Sequence, residues 1–275
     1  MGAGPGRERG VSGWGVTGLL EGKSTIVTGA GKGIGRACAL EFARQGALVT
    51  LCDVDERLGR ATTDEIATHG GTARYVRADV SVSADAKLLA DQAAAAHGGI
   101  DCLFSCAGIA GNGTVVDCSE EAWNRVLAVN LTGMFLVAKH VIPYMRERGS
   151  GTILNMASIS AFWGEPGTVA YNASKGGILG LTRAMAQDHG PEGIRVNCLS
   201  PGFHDTGMVD DYFEAQPDGA EARQRIDRLL AVRRIGEPDE LARTAAFLLS
   251  DANRYMTAAS IVLDGGLSAG YTWAE

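Results

Sequence analysis

A tyrosine and a lysine four residues apart, Tyr171 and Lys175, are the pair in this sequence best suited to proton chemistry. On a helix, that spacing places the two side chains one above the other on the same face. A free phenol has a pKa of about 10 and is a poor base at neutral pH, but an ammonium one turn away favours the phenolate and lowers that pKa. The pair therefore predicts a tyrosine that transfers a proton and a lysine that can also bind a sugar hydroxyl. The alternative is a half-buried ring beside a solvated charge.

Ser158 lies upstream of this pair, at the end of the sequence Asn155-Met156-Ala157-Ser158 and directly after an apolar run. A serine hydroxyl at this point could polarise a carbonyl group while the tyrosine moves the proton. The three side chains together predict acid–base chemistry at an alcohol or a ketone.

Short apolar or β-branched runs and helical patterns alternate about seven times along the chain, beginning with the β-branched run from Ser24 to Thr28. Continuous apolar runs of this length are typical of strands that are buried on both faces of a sheet. The alternation predicts an α/β fold, a single doubly wound parallel sheet of about seven strands with helices on both faces. The sequence has no Pro- or Ser-rich linker and no internal repeat, so residues 21–275 are expected to form one domain.

Three segments call for separate expectations. Ser119 is expected to cap one long helix, or two shorter ones, ended by Pro143 and Gly149. Residues 203–235 show weak periodicity, and because a long loop in a compact domain is usually functional, they are expected to form a lid over the substrate. Residues 1–20 are Gly-rich, have no apolar segment of a signal peptide, and are expected to be a flexible tail.

Composition limits the classes of partner. The 275 residues carry a net charge of -7 and no basic cluster, which argues against nucleic acid and anionic membrane as partners. No apolar run comes close to the roughly 20 residues of a membrane span. The cysteines have no paired CxxC motifs for zinc and are interpreted as reduced core thiols of a cytoplasmic protein. They are Cys38, Cys52, Cys102, Cys106, Cys118 and Cys198.

A glycine-rich turn follows the first predicted strand and leads into the first predicted helix. Glycines let the backbone approach a pyrophosphate closely, and the N-terminus of the helix supplies positive potential. A strand before the turn and a helix after it are the context expected of a dinucleotide site, although such loops also serve as plain turns. The residues of this turn are Gly29, Gly31, Lys32, Gly33, Ile34 and Gly35.

The second predicted strand ends at Asp53, at the distance from the glycine turn expected of a ribose-binding carboxylate. Asp53 can accept both ribose hydroxyls and would repel a 2'-phosphate, so NAD is favoured over NADP; the alternative is a turn or cap residue before Asp55. Lys32 is the counter-argument, since a cation in the loop could bind a 2'-phosphate. Asp79 and Val80 follow the third strand and could contact the adenine, or Asp79 could cap a helix.

With these residues placed, the chain resembles the short-chain dehydrogenase/reductase family from about residue 20 to 266. The TGxxxGxG fingerprint runs from Thr28 to Gly35, and the YxxxK element is Tyr171 to Lys175, with Ser158 at the family's usual offset upstream. Where the family usually has NNAG, this chain has Ser105-Cys106-Ala107-Gly108, so altered local bonding is expected there without loss of activity. Further matches are Asn130, Ala107, Gly108, Pro201, Gly202 and Thr206.

The resemblance implies a Rossmann-like fold and a mechanism. Tyr171 is the acid/base, Lys175 lowers its pKa and holds the nicotinamide ribose, Ser158 binds the substrate oxygen, and Asn130 supports a water that completes a proton relay. The hydride passes directly between the substrate carbon and the nicotinamide. Pro201, Gly202 and Thr206 would lie beside the nicotinamide, and Ala107 and Gly108 beside the cofactor.

No metal is called for, and the lone histidines His140, His189 and His204 receive no role. The family usually pairs the helices that carry Asn130 and Tyr171 across a two-fold axis, which implies a homotetramer or a homodimer.

The segments expected to determine substrate choice are residues 109–113, 159–169 and 203–234. Their apolar and aromatic side chains would favour a fairly apolar secondary alcohol or ketone as substrate. One alternative is an NADPH-dependent reductase of a 3-oxoacyl or other biosynthetic ketone, supported by Lys32. Another is a nucleotide-binding scaffold without turnover, against which the Ser158, Tyr171 and Lys175 set argues. The lining residues are Phe162, Trp163, Phe203, Met208, Tyr212 and Phe213.

Overall fold

A seven-stranded parallel sheet forms the centre of the molecule in the computed structural model, which describes residues 18–214 and 218–270. The strand order is β3-β2-β1-β4-β5-β6-β7, and every neighbouring pair is parallel. The predicted doubly wound parallel sheet is confirmed. The strands are β1 (Ser24–Thr28), β2 (Leu48–Asp53), β3 (Thr72–Arg77), β4 (Cys102–Ser105), β5 (Gly151–Met156), β6 (Ile194–Pro201) and β7 (Ser260–Leu263).

β1 lies at the point where the order of winding reverses. Its residue Thr25 is in register with Val49 of β2 on one side and with Cys102 of β4 on the other. All five residues of β1 are buried, as the continuous apolar pattern predicts. In a doubly wound sheet the carboxyl ends of the strands on either side of such a reversal enclose a crevice, so the fold itself places a ligand site at the ends of β1 and β4.

Helices cover both faces of the sheet and build two hydrophobic cores. α1 packs against α9, and these helices share one core with α2, whereas α3 packs against α5 in the other. The helices are α1 (Gly33–Arg44), α2 (Glu56–Thr68), α3 (Ser83–His97), α4 (Glu120–Leu127), α5 (Gly133–Arg148), α6 (Val169–His189), α7 (Gly207–Glu214), α8 (Gly219–Leu229) and α9 (Pro238–Leu249).

The helical run from Glu120 to Arg148 is continuous but contains a π-helical turn. Ser119 caps it as predicted, since its side chain accepts a hydrogen bond from the Ala122 amide. The π turn, Ala128–Thr132, separates α4 from α5. The prediction that Pro143 ends the helix is wrong: Pro143 lies inside α5, which continues until Gly149 adopts a left-handed conformation with φ 68°. A proline inside a helix costs about 3 kcal/mol, and the extensive burial of α5 offsets that cost.

The same run corrects the expectation about apolar segments. It is 29 residues long and, by length and composition alone, apolar enough to cross a membrane. Nearly half of its apolar stretch is buried within the protein. The buried side chains include Val137, Val141 and Met145, which face the core shared with α3 and the sheet. The apolar composition is thus explained by a core helix of an α/β fold.

The segment from 203 to 235 is not the irregular loop that its weak periodicity indicated. It contains α7 and α8, which pack around a small separate core of Phe213, Ala222, Leu230 and Ile235. Backbone hydrogen bonds close the segment at its base, where the Asp205 amide donates to the Gly236 carbonyl at 2.8 Å. The segment is therefore a small helical unit whose two ends meet.

The amino-terminal boundary lies slightly earlier than expected. Of the predicted tail, residues 1–17 lie outside the described residues. Leu20 is fully buried in the core, and its amide donates to the Gln45 carbonyl at 3.0 Å. The packed domain therefore begins before residue 21.

Candidate active site

Tyr171 and Lys175 lie on the first turns of α6 and on the same face, as their spacing predicts. The Lys175 ammonium nitrogen lies 5.4 Å from the centroid of the Tyr171 ring. Lys175 is only 3% exposed, and its ammonium donates to the carbonyl of Met156, at the end of β5, at 2.9 Å. The carboxyl end of β5 and the start of α6 thus hold the pair in place.

The protonation states of the pair differ from the expectation. Burial raises the pKa of Tyr171 to about 12, an effect that a hydrogen bond with Ser158 partly opposes. Burial also lowers the pKa of Lys175 to about 8. The expectation that Lys175 lowers the tyrosine pKa is wrong for this structure, because the ammonium points to the Met156 carbonyl and both groups lose solvation. The resulting tyrosine is a neutral phenol, ready to donate a proton.

Ser158 follows β5 after Ala157 and is 7% exposed. Its hydroxyl donates to the Ser160 hydroxyl at 3.1 Å and accepts from the Ser160 amide at 3.1 Å. The hydrogen bond that lowers the Tyr171 pKa places the Ser158 hydroxyl beside the phenol. The structure therefore brings together Ser158, Tyr171 and Lys175, the three side chains predicted to perform the chemistry.

Asn130 occupies the π turn and is fully buried. Its side-chain nitrogen donates to the Ile109 carbonyl at 2.9 Å and to the Ser174 hydroxyl at 3.1 Å, while its oxygen accepts from the Ile109 amide at 2.8 Å. A Cβ on Gly108 would lie 3.4 Å from the Asn130 oxygen and 3.8 Å from the Lys175 nitrogen. Asn130 thus joins the loop after β4 to α6, next to Lys175.

The glycine turn between β1 and α1 is packed too closely for side chains. Gly29 has φ 68°, and a Cβ on it would lie 2.8 Å from the Ala107 Cα. A Cβ on Gly35 would lie 2.0 Å from the Gly29 carbonyl oxygen. Lys32 precedes α1 in an extended conformation and is exposed, and Ile34 is half-buried. This backbone, at the start of a twelve-residue helix, fits a pyrophosphate.

Asp53 faces this glycine turn from the end of β2. Its Oδ2 accepts from the Gly31 amide at 2.8 Å, and its Oδ1 accepts from the Asp55 amide at 3.0 Å. The Tyr75 hydroxyl donates to the Asp53 carbonyl at 2.7 Å. Asp53 therefore has both the turn role and the position expected of a ribose-binding carboxylate.

Asp79 and Val80 occupy the turn between β3 and α3. Asp79 accepts from the Ser81 amide at 2.9 Å and from its hydroxyl at 2.6 Å, so the carboxylate organises this turn. Asp79 does not cap α3, whose cap position is Val82. Val80 is buried, and a Cβ on Gly133 would lie 2.8 Å from its Cγ2. Val80 therefore packs against the start of α5.

Thr28 is a site residue to which the sequence interpretation assigned no role. Its hydroxyl accepts from the Cys106 amide at 3.0 Å and from the Ala107 amide at 3.1 Å. Within the described chain, the buried Ser105 hydroxyl has no hydrogen-bond partner. Thr28 thus braces the turn, and whether the bonding here is altered relative to the NNAG motif stays a prediction. The signal was available, since Thr28 ends a strand immediately before the glycines.

Pro201, Gly202 and Thr206 follow at the carboxyl end of β6. The Gly202 amide donates to the Leu263 carbonyl at 3.0 Å, and a Cβ on Gly202 would lie 2.8 Å from the Asp264 Cβ. A Cβ on Gly33 would lie 3.6 Å from the Thr206 Cγ2. The end of β6 and the glycine turn therefore border the same crevice.

Glu165 is a second residue missed from sequence. Its Oε2 accepts from the Ser160 hydroxyl at 3.2 Å. Burial raises the pKa of Tyr171 and of Tyr212, and the negative charge of Glu165 raises both further. It lies in an irregular loop of mixed composition, where no spacing marks it.

Histidines, cysteines and metals add little to the site. His204 is buried, and its ring interacts with the Gly202 carbonyl at 3.2 Å, as expected of a structural side chain. The six cysteines are free, and four of them are buried. Within residues 18–214 and 218–270, no group of three or more potential ligands could hold a metal ion.

Comparison with known proteins gives a consistent result. A family model described as "Enoyl-(Acyl carrier protein) reductase" matches residues 29–268. The chain is 40% identical over 259 residues to the uncharacterized oxidoreductase YxbG of Bacillus subtilis, covering 93% of this chain and 94% of the relative. It is 38% identical over 251 residues to 2-(S)-hydroxypropyl-CoM dehydrogenase 3 of Xanthobacter autotrophicus, covering 91% and 98%.

A 3-oxoacyl-[acyl-carrier-protein] reductase of Thermotoga maritima is 36% identical over 249 residues, with coverage of 90% and 98%. Among solved structures, levodione reductase superposes with a TM-score of 0.89 at 32% identity, covering 92% of this chain and 100% of that one.

The sheet topology and the site thus define an oxidoreductase that uses a nicotinamide cofactor. The chain belongs to the short-chain dehydrogenase/reductase family, of the type with about 250 residues.

Proposed function

We propose that this protein is an NAD-dependent dehydrogenase of secondary alcohols, acting reversibly on the corresponding ketones. The observation that carries the proposal is the convergence of Ser158, Tyr171 and Lys175 beside a glycine turn that Asp53 faces. Proton-transfer groups and a dinucleotide cradle therefore border one crevice at the carboxyl edge of the sheet.

The glycine turn and Asp53 would bind the cofactor. The close backbone packing at Gly29 and Gly35 fits the pyrophosphate, and the Asp53 carboxylate at the end of β2 fits the adenosine ribose. Lys175 would hold the nicotinamide ribose, with Asp79, Val80, Ala107, Gly108, Pro201, Gly202 and Thr206 lining the remaining length. When bound, the nicotinamide supplies a hydride acceptor or donor.

The chain's own residues carry the proton. In oxidation, the Tyr171 oxygen removes the hydroxyl proton as the hydride leaves the same carbon, and in reduction the phenol returns a proton to the carbonyl oxygen. Ser158 donates a hydrogen bond to that oxygen and orients it. Because burial keeps Tyr171 a neutral phenol, oxidation requires that the phenol first passes its own proton to solvent. Asn130 positions the Ile109 loop and α6 and supports the relay to solvent.

The alternative cofactor, NADPH, is supported by a specific observation. Lys32 is exposed at the start of α1, and within the described residues it forms no ion pair. It could therefore bind a 2'-phosphate. We favour NAD because the Asp53 carboxylate, 2.8 Å from the Gly31 amide, lies where a 2'-phosphate would be repelled.

A fluorescence titration of the purified protein with NADH and NADPH tests the proposal. Wild type is expected to bind NADH at least tenfold more tightly, and Asp53→Ala should remove that preference. Asp55→Ala is the control, since it removes a neighbouring carboxylate that caps α2 and leaves Asp53 intact. NADPH preference would instead support the biosynthetic ketone reductase, and binding of neither cofactor would refute an enzymatic role.

Tyr171→Phe separates an enzyme from a nucleotide-binding scaffold. Loss of the proton-transfer group should lower turnover by a factor of roughly 10² to 10⁴, while the NADH affinity stays within about twofold. A scaffold would show no turnover in the wild type and no effect of the substitution. Tyr144→Phe, on the outer side of α5, is a matched control and should leave turnover unchanged.

We also propose an oligomeric state and a cellular location for the protein. The protein is a homotetramer or a homodimer of the cytoplasm, paired through the outer faces of the helices that carry Asn130 and Tyr171. Phe135, on α5, leaves 46% of its surface exposed, which supports an apolar contact there. Residues 203–235 act as the substrate lid. Light scattering measures the assembly, and a monomer at micromolar concentration would contradict it.

A further inference from the structure

Glu165 is a carboxylate held close to Ser158 by a chain of hydrogen bonds. Its backbone carbonyl accepts from the Asn172 side-chain amide at 2.9 Å and from the Thr168 hydroxyl at 3.0 Å, which ties its loop to the start of α6. Its Oε2 accepts from the Ser160 hydroxyl, which in turn accepts from the Ser158 hydroxyl. Two hydrogen bonds thus connect the carboxylate to the serine that orients the reacting oxygen.

In the part of the chain that the structure describes, no positive charge pairs with this carboxylate. Within residues 18–214 and 218–270, Glu165 forms no salt bridge with a lysine, arginine or histidine. Burial raises the pKa of Tyr171 and of Tyr212, and the negative charge of Glu165 adds to both shifts. Burial raises the pKa of Glu165 itself, and the Ser160 hydrogen bond opposes that shift. A half-buried carboxyl group without a counter-ion is stabilised by additional hydrogen-bond donors.

Aromatic side chains lie on the loop of Glu165 and on α7. Phe162 and Trp163 precede Glu165 and are 49% and 41% exposed, and Tyr212 packs against Phe203. The hydrogen bonds recorded for the Glu165 carboxylate within the described chain involve Oε2 and Ser160. A ligand in this crevice can therefore satisfy the remaining acceptor capacity of the carboxylate.

We propose that Glu165 selects substrates that carry a second hydroxyl group close to the reacting carbon. In this proposal, which rests on the proposed dehydrogenase function, the second hydroxyl donates to Glu165 while Ser158 and Tyr171 engage the reacting oxygen. Substrates with a carboxylate at that place are repelled. The substrate is thus a neutral diol or hydroxyketone whose other groups are apolar. This narrows the broader class of fairly apolar secondary alcohols and ketones.

Steady-state kinetics with matched substrates tests the assignment. The pairs are butane-2,3-diol with butan-2-ol, and cyclohexane-1,2-diol with cyclohexanol, and 3-hydroxybutyrate is the anionic probe. Wild type should favour each diol in kcat/KM by roughly 10- to 100-fold, the range of a hydrogen bond to a charged group. Glu165→Leu should abolish that preference, Glu165→Gln should retain part of it, and Glu165→Gln should improve 3-hydroxybutyrate.

Controls separate selection from misfolding. Glu120→Gln, at the exposed start of α4, should change no substrate ratio. Each variant is also checked for thermal unfolding and NADH affinity, and a Glu165→Leu protein that fails to fold leaves Glu165→Gln to decide through the 3-hydroxybutyrate ratio. An amino alcohol, 3-aminobutan-2-ol, tests charge: a larger loss for it than for the diol in Glu165→Gln would assign the site to an ammonium group and overturn the hydroxyl proposal.

The outcomes distinguish this inference from the function on which it rests. Oxidation of monoalcohols without a diol preference, or a preference that Glu165→Leu leaves intact, overturns the role of Glu165 and leaves the dehydrogenase proposal standing. Failure to oxidise any alcohol or to reduce any matching ketone, with cofactor bound, overturns both.

Discussion

Lys175 shows at the scale of a single residue that the site is built at a cost in stability. Within the described chain its buried ammonium donates to one carbonyl, that of Met156, and burial lowers its pKa from 10.5 to about 8. A positive charge that loses its hydration in this way destabilises the folded state at neutral pH. Sites that need such groups commonly trade stability for activity.

Lys175→Met should therefore stabilise the protein at pH 7 while abolishing turnover. The pKa difference corresponds to roughly 3 kcal/mol, and loss of the Met156 hydrogen bond leaves a net gain in unfolding free energy of about 2 kcal/mol. Because wild type binds fewer protons folded than unfolded between pH 8 and 10.5, its stability rises over that range and the gain should shrink. Urea unfolding of both proteins at pH 7 and at pH 9.5 measures this difference in unfolding free energy.

Lys87→Met is the control for this change, because Lys87 is largely exposed on α3 and should alter stability by less than about 0.5 kcal/mol. A Lys175→Met protein less stable than wild type at pH 7 would show that the buried charge is not a net cost.

Two buried threonines on adjacent strands make a matched pair. The Thr28 hydroxyl accepts hydrogen bonds from two backbone amides of the turn after β4. The Thr50 hydroxyl, on β2, is buried and has no hydrogen-bond partner in the described chain. Thr28→Val should cost about 2 kcal/mol of unfolding free energy and weaken NADH binding. Thr50→Val should stabilise by up to about 1 kcal/mol. Chemical unfolding with a cofactor titration compares them, and equal effects would exclude the bracing role of Thr28.

At the scale of elements, the π turn determines the position of Asn130. The turn carries Asn130 into the interior, where its one side chain makes three hydrogen bonds to Ile109 and Ser174. These bonds join the loop after β4 to the helix that carries Tyr171. The helical run between α4 and α5 therefore holds the loop after β4 and the start of α6 in fixed positions relative to each other.

Asn130→Ala should remove the three hydrogen bonds of the Asn130 side chain. The Ile109 amide, the Ile109 carbonyl and the Ser174 hydroxyl would each lose one hydrogen-bond partner. We expect a loss of about 2 to 4 kcal/mol in unfolding free energy and at least tenfold lower turnover. Thermal unfolding and steady-state rates provide the readouts. Asn124→Ala, exposed on α4 in the same run, should stay within about 0.5 kcal/mol of wild type. An Asn130→Ala enzyme with normal turnover would disprove the positioning role.

At the scale of the whole molecule, stability is expected to be uneven. The sheet and its two large cores form most of the structure, whereas residues 203–235 depend on a small separate core around Phe213. Segments with few buried contacts open more readily than the rest of a domain. A segment of this kind can move without loss of the fold.

Phe213→Ala should raise amide hydrogen exchange in residues 203–235 by at least tenfold and leave the strands unchanged. Phe42→Ala is its counterpart, since Phe42 is fully buried in the main core and contacts Phe104 edge to face. That change should cost about 3 to 5 kcal/mol globally. Uniform exchange after Phe213→Ala would show that the segment unfolds only with the domain.

The architecture could be predicted from sequence because it depends on patterns along the chain. Continuous apolar runs mark strands buried on both faces, and the spacing of Tyr171 and Lys175 fixes their common helix face. The shift in the pKa of Tyr171 could not be predicted, because burial raises that pKa and the burial depends on segments distant in sequence. Pro143 within α5 was missed because packing outweighs local propensity. Glu165 was missed because an irregular loop carries no periodic signal.

The π turn at 128–132 also constrains how this chain can have changed by insertion and deletion. A π turn contains one residue more than an α-helical turn, and the widened turn absorbs that residue. Removing a single residue there would leave an unbroken helix in which α4 and α5 keep their faces, but the widened turn that carries Asn130 to Ile109 and Ser174 would be gone. We therefore expect such a deletion to spare the helix and to damage the site.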